Sequence, residues 1–467
     1  MNGRHTVAVV GGGISGLAVA WWLDRAGLDV TLLEKEQAVG GTMKTIHEDG
    51  WLIETGPNSA LETSPLFAEM FGGLGITDER LYADDRADKR YILRGGRLHA
   101  LPMSPGAFLK SDLWTLGGKL RLLKEPFIGR ATEEESVASF VERRLGREFL
   151  DYAINPFVAG VFAGDPSRLS VRSAFPKLYA LEKNYGGLVK GMIQGRRERK
   201  RRAEVAKDRA RMFSFTRGME SFPAAIGTRL GSRITTGAHV HLVEQNGSSW
   251  RVRWRRDGGE DSLEADSVVL SIPARFAASL IAPFAPDAGA LLRDVYYPPV
   301  AEVFLGFREG VFAQPLDGFG YLIPEKERRN ILGTIWSSSL FPERAPAGHV
   351  ALTSFVGGSR QPELAMLPEK ELVVMATQEV NAILGGTALP VFTRVIRWDH
   401  AIPQYALGYH RLSEALDVCA HDHPGLFFCN NYRGGISVGD CIISAKSTAE
   451  EIINKVDNPQ AHVLQEH

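Results

Sequence analysis

A strand that turns through glycines into a helix constrains the fold of this chain more than any other feature. Val7 to Val10 is a continuous apolar run, as a strand buried on both faces requires, and it leads into Gly11, Gly12, Gly13, Ile14, Ser15 and Gly16. The next stretch carries Leu17, Ala20, Trp21 and Leu23 at spacings suited to one helix face, and Gly27 is placed as a C-cap. A second strand, Asp29 to Leu33, ends on Glu34, about 20 positions after the turn, where a dinucleotide fingerprint expects an acid. Each part has a task. Glycines permit a tight turn and close backbone approach, the helix N-terminus attracts a pyrophosphate, and the acid accepts hydrogen bonds from ribose hydroxyls. The unit predicts a dinucleotide cradle built from Gly11, Gly13, Ile14, Ser15, Gly16, Glu34 and Lys35.

By itself this motif does not separate a nicotinamide from a flavin dinucleotide. No second strand–GxGxxG–helix unit appears, because Gly186, Gly187, Gly191 and Gly195 have the wrong spacing and no preceding strand, so nicotinamide is not expected as electron donor. Cys419, Cys429 and Cys441 include no CxxC pair, which excludes the disulfide reductases, and their odd count predicts no disulfide framework and a reducing, cytoplasmic setting. The formal net charge of -1 gives no global attraction to nucleic acid, and no such partner is expected. The N-terminus runs from a short polar lead straight into the strand pattern, without the features of an export signal. Even Val268 to Pro286 is interrupted by Arg275 and prolines, short of the roughly 18 apolar residues a membrane span needs. The expectation is a soluble protein, or one peripheral on the cytoplasmic membrane.

At 467 residues, 44% of them hydrophobic, two or three domains are expected. The fold class predicted is α/β, a discontinuous Rossmann-type domain with a strand-rich substrate domain and a helical insertion. The dinucleotide domain is assigned residues 1–83, 214–285 and 425–467, the substrate domain 84–89, 205–213 and 286–424, and the helical domain 90–204. Period-two runs at HVHLV, WRVRW and SVVLSIP between Gly237 and Pro273 continue the dinucleotide domain. In the helical insertion Phe108, Leu109, Leu113, Trp114, Leu116, Leu120, Leu122, Leu123 and Phe127 alternate with Lys110, Lys119, Arg121 and Lys124, as interfacial helices do, although a core-facing helix has the same pattern. The basic run Arg196 to Arg211 suits an anionic leaflet as well as a solvated face.

After Glu34, the sequence KEQAVGGTMKT places Gly40 and Gly41 where flavoproteins of the amine oxidase and protoporphyrinogen oxidase superfamily carry GG-R-x-x-T, with Thr42 replacing the arginine and Thr45 kept. GLFFC from Gly425 to Cys429, followed by NNYRGGISVGDCIISAKSTAEEI, resembles the C-terminal flavin segment of that superfamily, with a turn at Arg433, Gly434 and Gly435 and a helix predicted over Asp440 to Ile453. Four more segments resemble the oxygen-dependent protoporphyrinogen oxidase family: Glu54 to Ser59, Lys89 to Pro102, Asn155 to Leu178, and Gly333 to Pro346.

This resemblance implies FAD as cofactor, with Gly40, Gly41, Thr42, Gly56, Pro57, Asn58, Ser59, Gly435 and Val438 added to the cradle. It implies a tetrapyrrole substrate, with Arg90 pairing a propionate through its guanidinium fork, Gly160 approaching a pyrrole ring, and Leu322 and Phe355 sandwiching the macrocycle. Asn58 falls beside the flavin. Three successive two-electron oxidations of protoporphyrinogen IX would follow, with oxygen reoxidising the flavin to give hydrogen peroxide. No Ser/His/Asp set, metal-ligand spacing or paired carboxylate emerges, so no metal is expected and the chemistry rests on positioning. Coproporphyrinogen III oxidation to coproporphyrin III, in a more cationic pocket, is the alternative, and a flavin-bound scaffold or redox sensor is the alternative from another class.

Overall fold

The computed structural model of this protein describes residues 4–194 and 210–457. Its centre is a five-stranded sheet, all parallel, in the order Ile234–Thr235, Asp29–Leu33, Thr6–Val10, Ser267–Leu270, Leu426–Phe428. The alternation of one strand explains both layers around it. Val7 and Val9 point into a core shared with the helices Ile14–Arg25 and Val438–Asp457, while Ala8 and Val10 point into the opposite core with Ala274–Ile281 and His410–Asp422. A strand covered on both faces has no use for polar residues, which is why it reads as a solid apolar run.

The predicted strands at HVHLV and WRVRW form a separate antiparallel meander, His239–Asn246, Ser249–Arg256 and Gly259–Ala265, and only SVVL joins the parallel sheet. The last helix runs from Val438 to Asp457, longer at both ends than the predicted Asp440 to Ile453. Its start is set by a reciprocal cap. The Asp440 N–H donates to Ser437 Oγ at 3.1 Å, and the Ser437 hydroxyl donates to Asp440 Oδ2 at 2.6 Å.

A second, seven-stranded sheet has the order Phe392–Trp398, Val300–Arg308, His349–Gly357, Gly333–Ile335, Gly318–Leu322, Lys89–Arg94, Arg97–Ala100. Residues 90–100, assigned from sequence to the helical insertion, are thus a hairpin of this sheet, turned at Gly95 and Gly96, both at positive φ. Ala301, Val303, Leu305, Tyr321 and Val356 project to one side, into a core closed by the helix Glu369–Leu384. The alternate positions form the other face, where the site lies.

Short helices fill 105–194. Arg144 is fully buried there, with Nε 2.6 Å from Glu182 and Nη1 3.1 Å from Glu125. The apolar residues at its start divide. Leu113 and Trp114 are core, whereas Leu109, Leu116, Leu120, Leu123 and Phe127 are exposed, Phe127 to 88%. Most of the basic run Arg196 to Arg211 lies outside the described residues. Among the described residues no helix is long and apolar enough to cross a membrane, and no cluster of ligands capable of holding a metal occurs.

Candidate functional site: a dinucleotide cradle facing a sheet

The glycine turn is held from both sides. Gly11 has φ +108°, and a Cβ there would lie 2.5 Å from Ser271 O, while one at Gly16 would lie 2.0 Å from Gly11 O, so neither position tolerates a side chain. A Cβ at Gly13 would meet nothing within 4 Å. The backbone of Gly13 therefore borders open space at the start of a helix, which fits a pyrophosphate. Glu34 is buried, and its carboxylate accepts N–H bonds from Gly12 at 2.6 Å and from Glu36 at 2.8 Å. It shapes the loop as well as standing where a ribose would lie. Lys35 is exposed, 3.3 Å from Glu36.

The far segments converge here. Gly40 donates its N–H to Gly12 O at 2.8 Å, and Gly41 abuts Gly13, where its Cβ would come within 3.1 Å of the Cα. The turn Gly56 to Ser59 follows the strand Trp51–Glu54 and lies against Thr42, whose carbonyl oxygen would be 2.2 Å from a Cβ on Gly56. Thr42 itself is exposed. Thr45 is structural, its hydroxyl donating to Glu54 at 2.7 Å. The first and last helices pack side by side with Ser15 beside Cys441, so the helix starts at Ile14 and Val438 stand together. Two positive helix ends on one open space suit an anionic dinucleotide. Tyr405, which sequence reasoning missed, fixes the C-terminal turn: its hydroxyl accepts the Gly435 N–H at 3.1 Å and donates to Asn431 O at 2.5 Å.

The register of the seven-stranded sheet gathers the predicted substrate residues. Ile92, Leu322, Gly333, Phe355 and Glu302 oppose one another across successive strands, so they share a face and a row. Arg90 and Gly320 open the neighbouring row on the same face. Gly160, in the helix Asn155–Phe162, sits over Leu322: a Cβ there would be 2.5 Å from Leu322 Cδ2. Phe355 packs with Ala159, Ala163 and Leu332. Arg90 is half-buried, its guanidinium 6.0 Å from the centre of the Phe319 ring, and it makes no ion pair among the described residues. By contrast the adjacent Lys89 is 2.5 Å from Asp317.

Asn58 reaches the same face from the cradle side. It lines a small cavity with Glu54, Phe304, Ile335, Thr353 and Arg344. Glu54 is buried against Arg344 at 2.9 Å; burial raises its pKa, and the guanidinium partly opposes this. The Trp398 indole N–H donates to Thr55 O at 2.6 Å, tying the turn to the sheet. Glu302 and Trp398 were also missed, because their neighbours in space lie far away in sequence. Cys419, Cys429 and Cys441 are free and buried, and burial raises all three thiol pKa values, to about 11 for Cys419 and about 12 for Cys441.

Residues 14–453 match the family model described as flavin containing amine oxidoreductase. The mitochondrial protoporphyrinogen oxidase of Nicotiana tabacum is 33% identical over 97% of this chain and 95% of its own length. Coproporphyrinogen III oxidase of Bacillus subtilis (strain 168) is 27% identical over 97% of this chain and 98% of its own. A solved structure from Exiguobacterium sp. 255-15, provisionally named a protoporphyrinogen oxidase, superposes with a TM-score of 0.79 over 97% of this chain and 99% of that one at 23% identity, a likeness of fold.

Proposed function

The chain belongs to the flavin-containing amine oxidoreductase family, and from that premise we propose that it oxidises protoporphyrinogen IX to protoporphyrin IX in heme or chlorophyll synthesis, with oxygen as final acceptor. It is an FAD-dependent oxidoreductase. Bound FAD supplies the two-electron acceptor, and the residues of the chain supply position. Gly11 to Gly16, Glu34, Gly40, Gly41 and the Val438 helix start would hold the dinucleotide, with the Gly56 to Ser59 turn beside it.

The observation that carries the substrate reading is the sheet face itself: an apolar row with Leu322 and Phe355, roofed by the helix of Gly160, and bordered by a guanidinium that has no anion of its own among the described residues. A flat apolar ring with a carboxylate arm fits that surface. Arg90 orients the arm, and the row holds the ring against the flavin side, excluding water from the reacting carbon. The other arginine of its row, Arg394, is already 3.4 Å from Glu48. One cation in the two rows without an ion pair among the described residues favours the dicarboxylate protoporphyrinogen over the tetracarboxylate coproporphyrinogen, which the Bacillus subtilis relative keeps as second reading. Formation of fluorescent porphyrin in air by purified protein tests the choice. Faster turnover of coproporphyrinogen would overturn it, and a yellow protein that oxidises neither would be a scaffold or sensor.

The exposed Leu109, Leu116, Leu120, Leu123 and Phe127 support peripheral association with the cytoplasmic membrane, where an apolar substrate partitions. Lys119 and Arg121 cap backbone carbonyls of the insertion and pair no acid among the described residues, so their charge stays available to an anionic surface.

A further inference from the structure

Glu302 is out of place by every rule of burial. It lies in the strand Val300–Arg308, eight of whose nine residues are buried, and is itself 4% exposed. It forms no ion pair among the described residues, and its Oε2 has no hydrogen-bond partner. A buried carboxyl without a cation destabilises a fold, and leucine would fit the strand better, so its presence calls for a ligand or a task.

Its surroundings are specific. On the side of Val300–Arg308 that bears it, Glu302 is flanked by Phe355 directly across one neighbouring strand and Ile396 across the other. From the cradle side Asn58 and Trp398 lie against its carboxyl, the Trp398 N–H being given to Thr55 O at 2.6 Å, and among the described residues Glu54 is the charged group near enough to repel it. Glu54 is in turn matched by Arg344 at 2.9 Å. Arg394, two positions along the neighbouring strand, is engaged by Glu48, and Arg397 donates to the carbonyls of Ala365 and Leu367. Burial, the largest cause, pushes the Glu302 carboxyl up to about 8, with Trp398 and Asn58 opposing it and Glu54 adding to it, so it is a neutral acid with an O–H to donate.

We infer that Glu302 is a positioning residue of the redox site: its carboxyl, packed against Asn58 and Trp398, sets the Gly56 to Ser59 turn beside which the flavin ring would lie, so that a change in its charge is felt by the ring. This rests on the placement of the ring given above.

The test uses the FAD-loaded protein and its Glu302→Gln and Glu302→Leu variants, following the visible flavin absorption and the midpoint potential from pH 6 to pH 10. Wild type is expected to show a transition near pH 8 in both readouts, as the donor loses its proton. Glu302→Gln, which keeps an N–H donor but cannot ionise, loses the transition. Glu302→Leu loses it too, and its anaerobic flavin reduction by substrate slows about tenfold, the loss of one positioning hydrogen bond. Flavin spectra and potentials in both variants that match wild type at every pH would overturn the inference. Should neither variant fold, wild type alone decides, since a flat profile through pH 8 refutes it. Failure of the substrate reading looks different: the flavin transition persists in wild type while no porphyrinogen is oxidised.

Discussion

Arg90→Ala separates substrate orientation from fold stability, because the structure shows how little else this side chain does. Its guanidinium has a distant ring contact with Phe319 at 6.0 Å and no ion pair among the described residues, so truncation forfeits at most about 0.5 to 1 kcal/mol of cation–π energy. FAD binding and melting temperature should stay near wild type. The loss should appear in kcat/KM for protoporphyrinogen, where one charge-assisted contact to a propionate contributes roughly 1.5 to 3 kcal/mol, or about ten- to hundredfold. Arg90→Lys should recover only part of this, since an ammonium cannot reproduce a bidentate fork. Lys89→Ala is the control: its Nζ is already 2.5 Å from Asp317, and its removal should leave kcat/KM unchanged. The assay is initial porphyrin fluorescence in air, with flavin absorbance and melting curves confirming intact protein. Wild-type efficiency in both Arg90 variants would refute the proposed orientation, as would an equal loss in Lys89→Ala.

Glu34→Ala removes two charged hydrogen bonds inside the cradle, to Gly12 at 2.6 Å and Glu36 at 2.8 Å, and should weaken FAD retention by at least roughly 1.5 to 3 kcal/mol; occupancy after dialysis measures it, and wild-type occupancy would remove Glu34 from the site. Glu302→Gln should stabilise the protein increasingly with pH. The carboxyl is neutral in the folded state up to about 8 but ionises from about 4.5 unfolded, so wild type loses stability relative to the variant across that window, by roughly 3 kcal/mol at pH 7 and almost nothing at pH 4; urea midpoints at several pH values test the sign. Replacing Leu116, Leu120, Leu123 and Phe127 with serine should abolish liposome co-sedimentation without lowering the melting temperature, because all four side chains are exposed, and unchanged sedimentation would refute their membrane role.

What the sequence determined by itself is the cradle. A strand, a turn and a helix are neighbours along the chain, and the demands on them are local: Val7 to Val10 must be apolar on both faces, Gly11 must adopt φ +108°, and Gly16 must leave room for the Gly11 carbonyl oxygen, 2.0 Å from where its Cβ would lie. Such demands restrict residue type position by position, so they can be read without a partner. The resemblance carried this further, to Arg90, Leu322 and Phe355, yet not to why those three belong together. That was decided by the seven-stranded sheet, in which the hairpin of Arg90 pairs in parallel with Gly318–Leu322. Pairing between strands so distant in sequence leaves no periodic trace in either of them, and residues 90–100 were accordingly assigned to the helical insertion. Glu302 makes the point most sharply. In its own strand it is one acid in an apolar run, and only the register that sets it opposite Phe355, with Asn58 and Trp398 facing its carboxyl, gives that acid an environment. Side-chain identity fixes what a group can do, but distance and desolvation fix what it does, and both are properties of the packed structure.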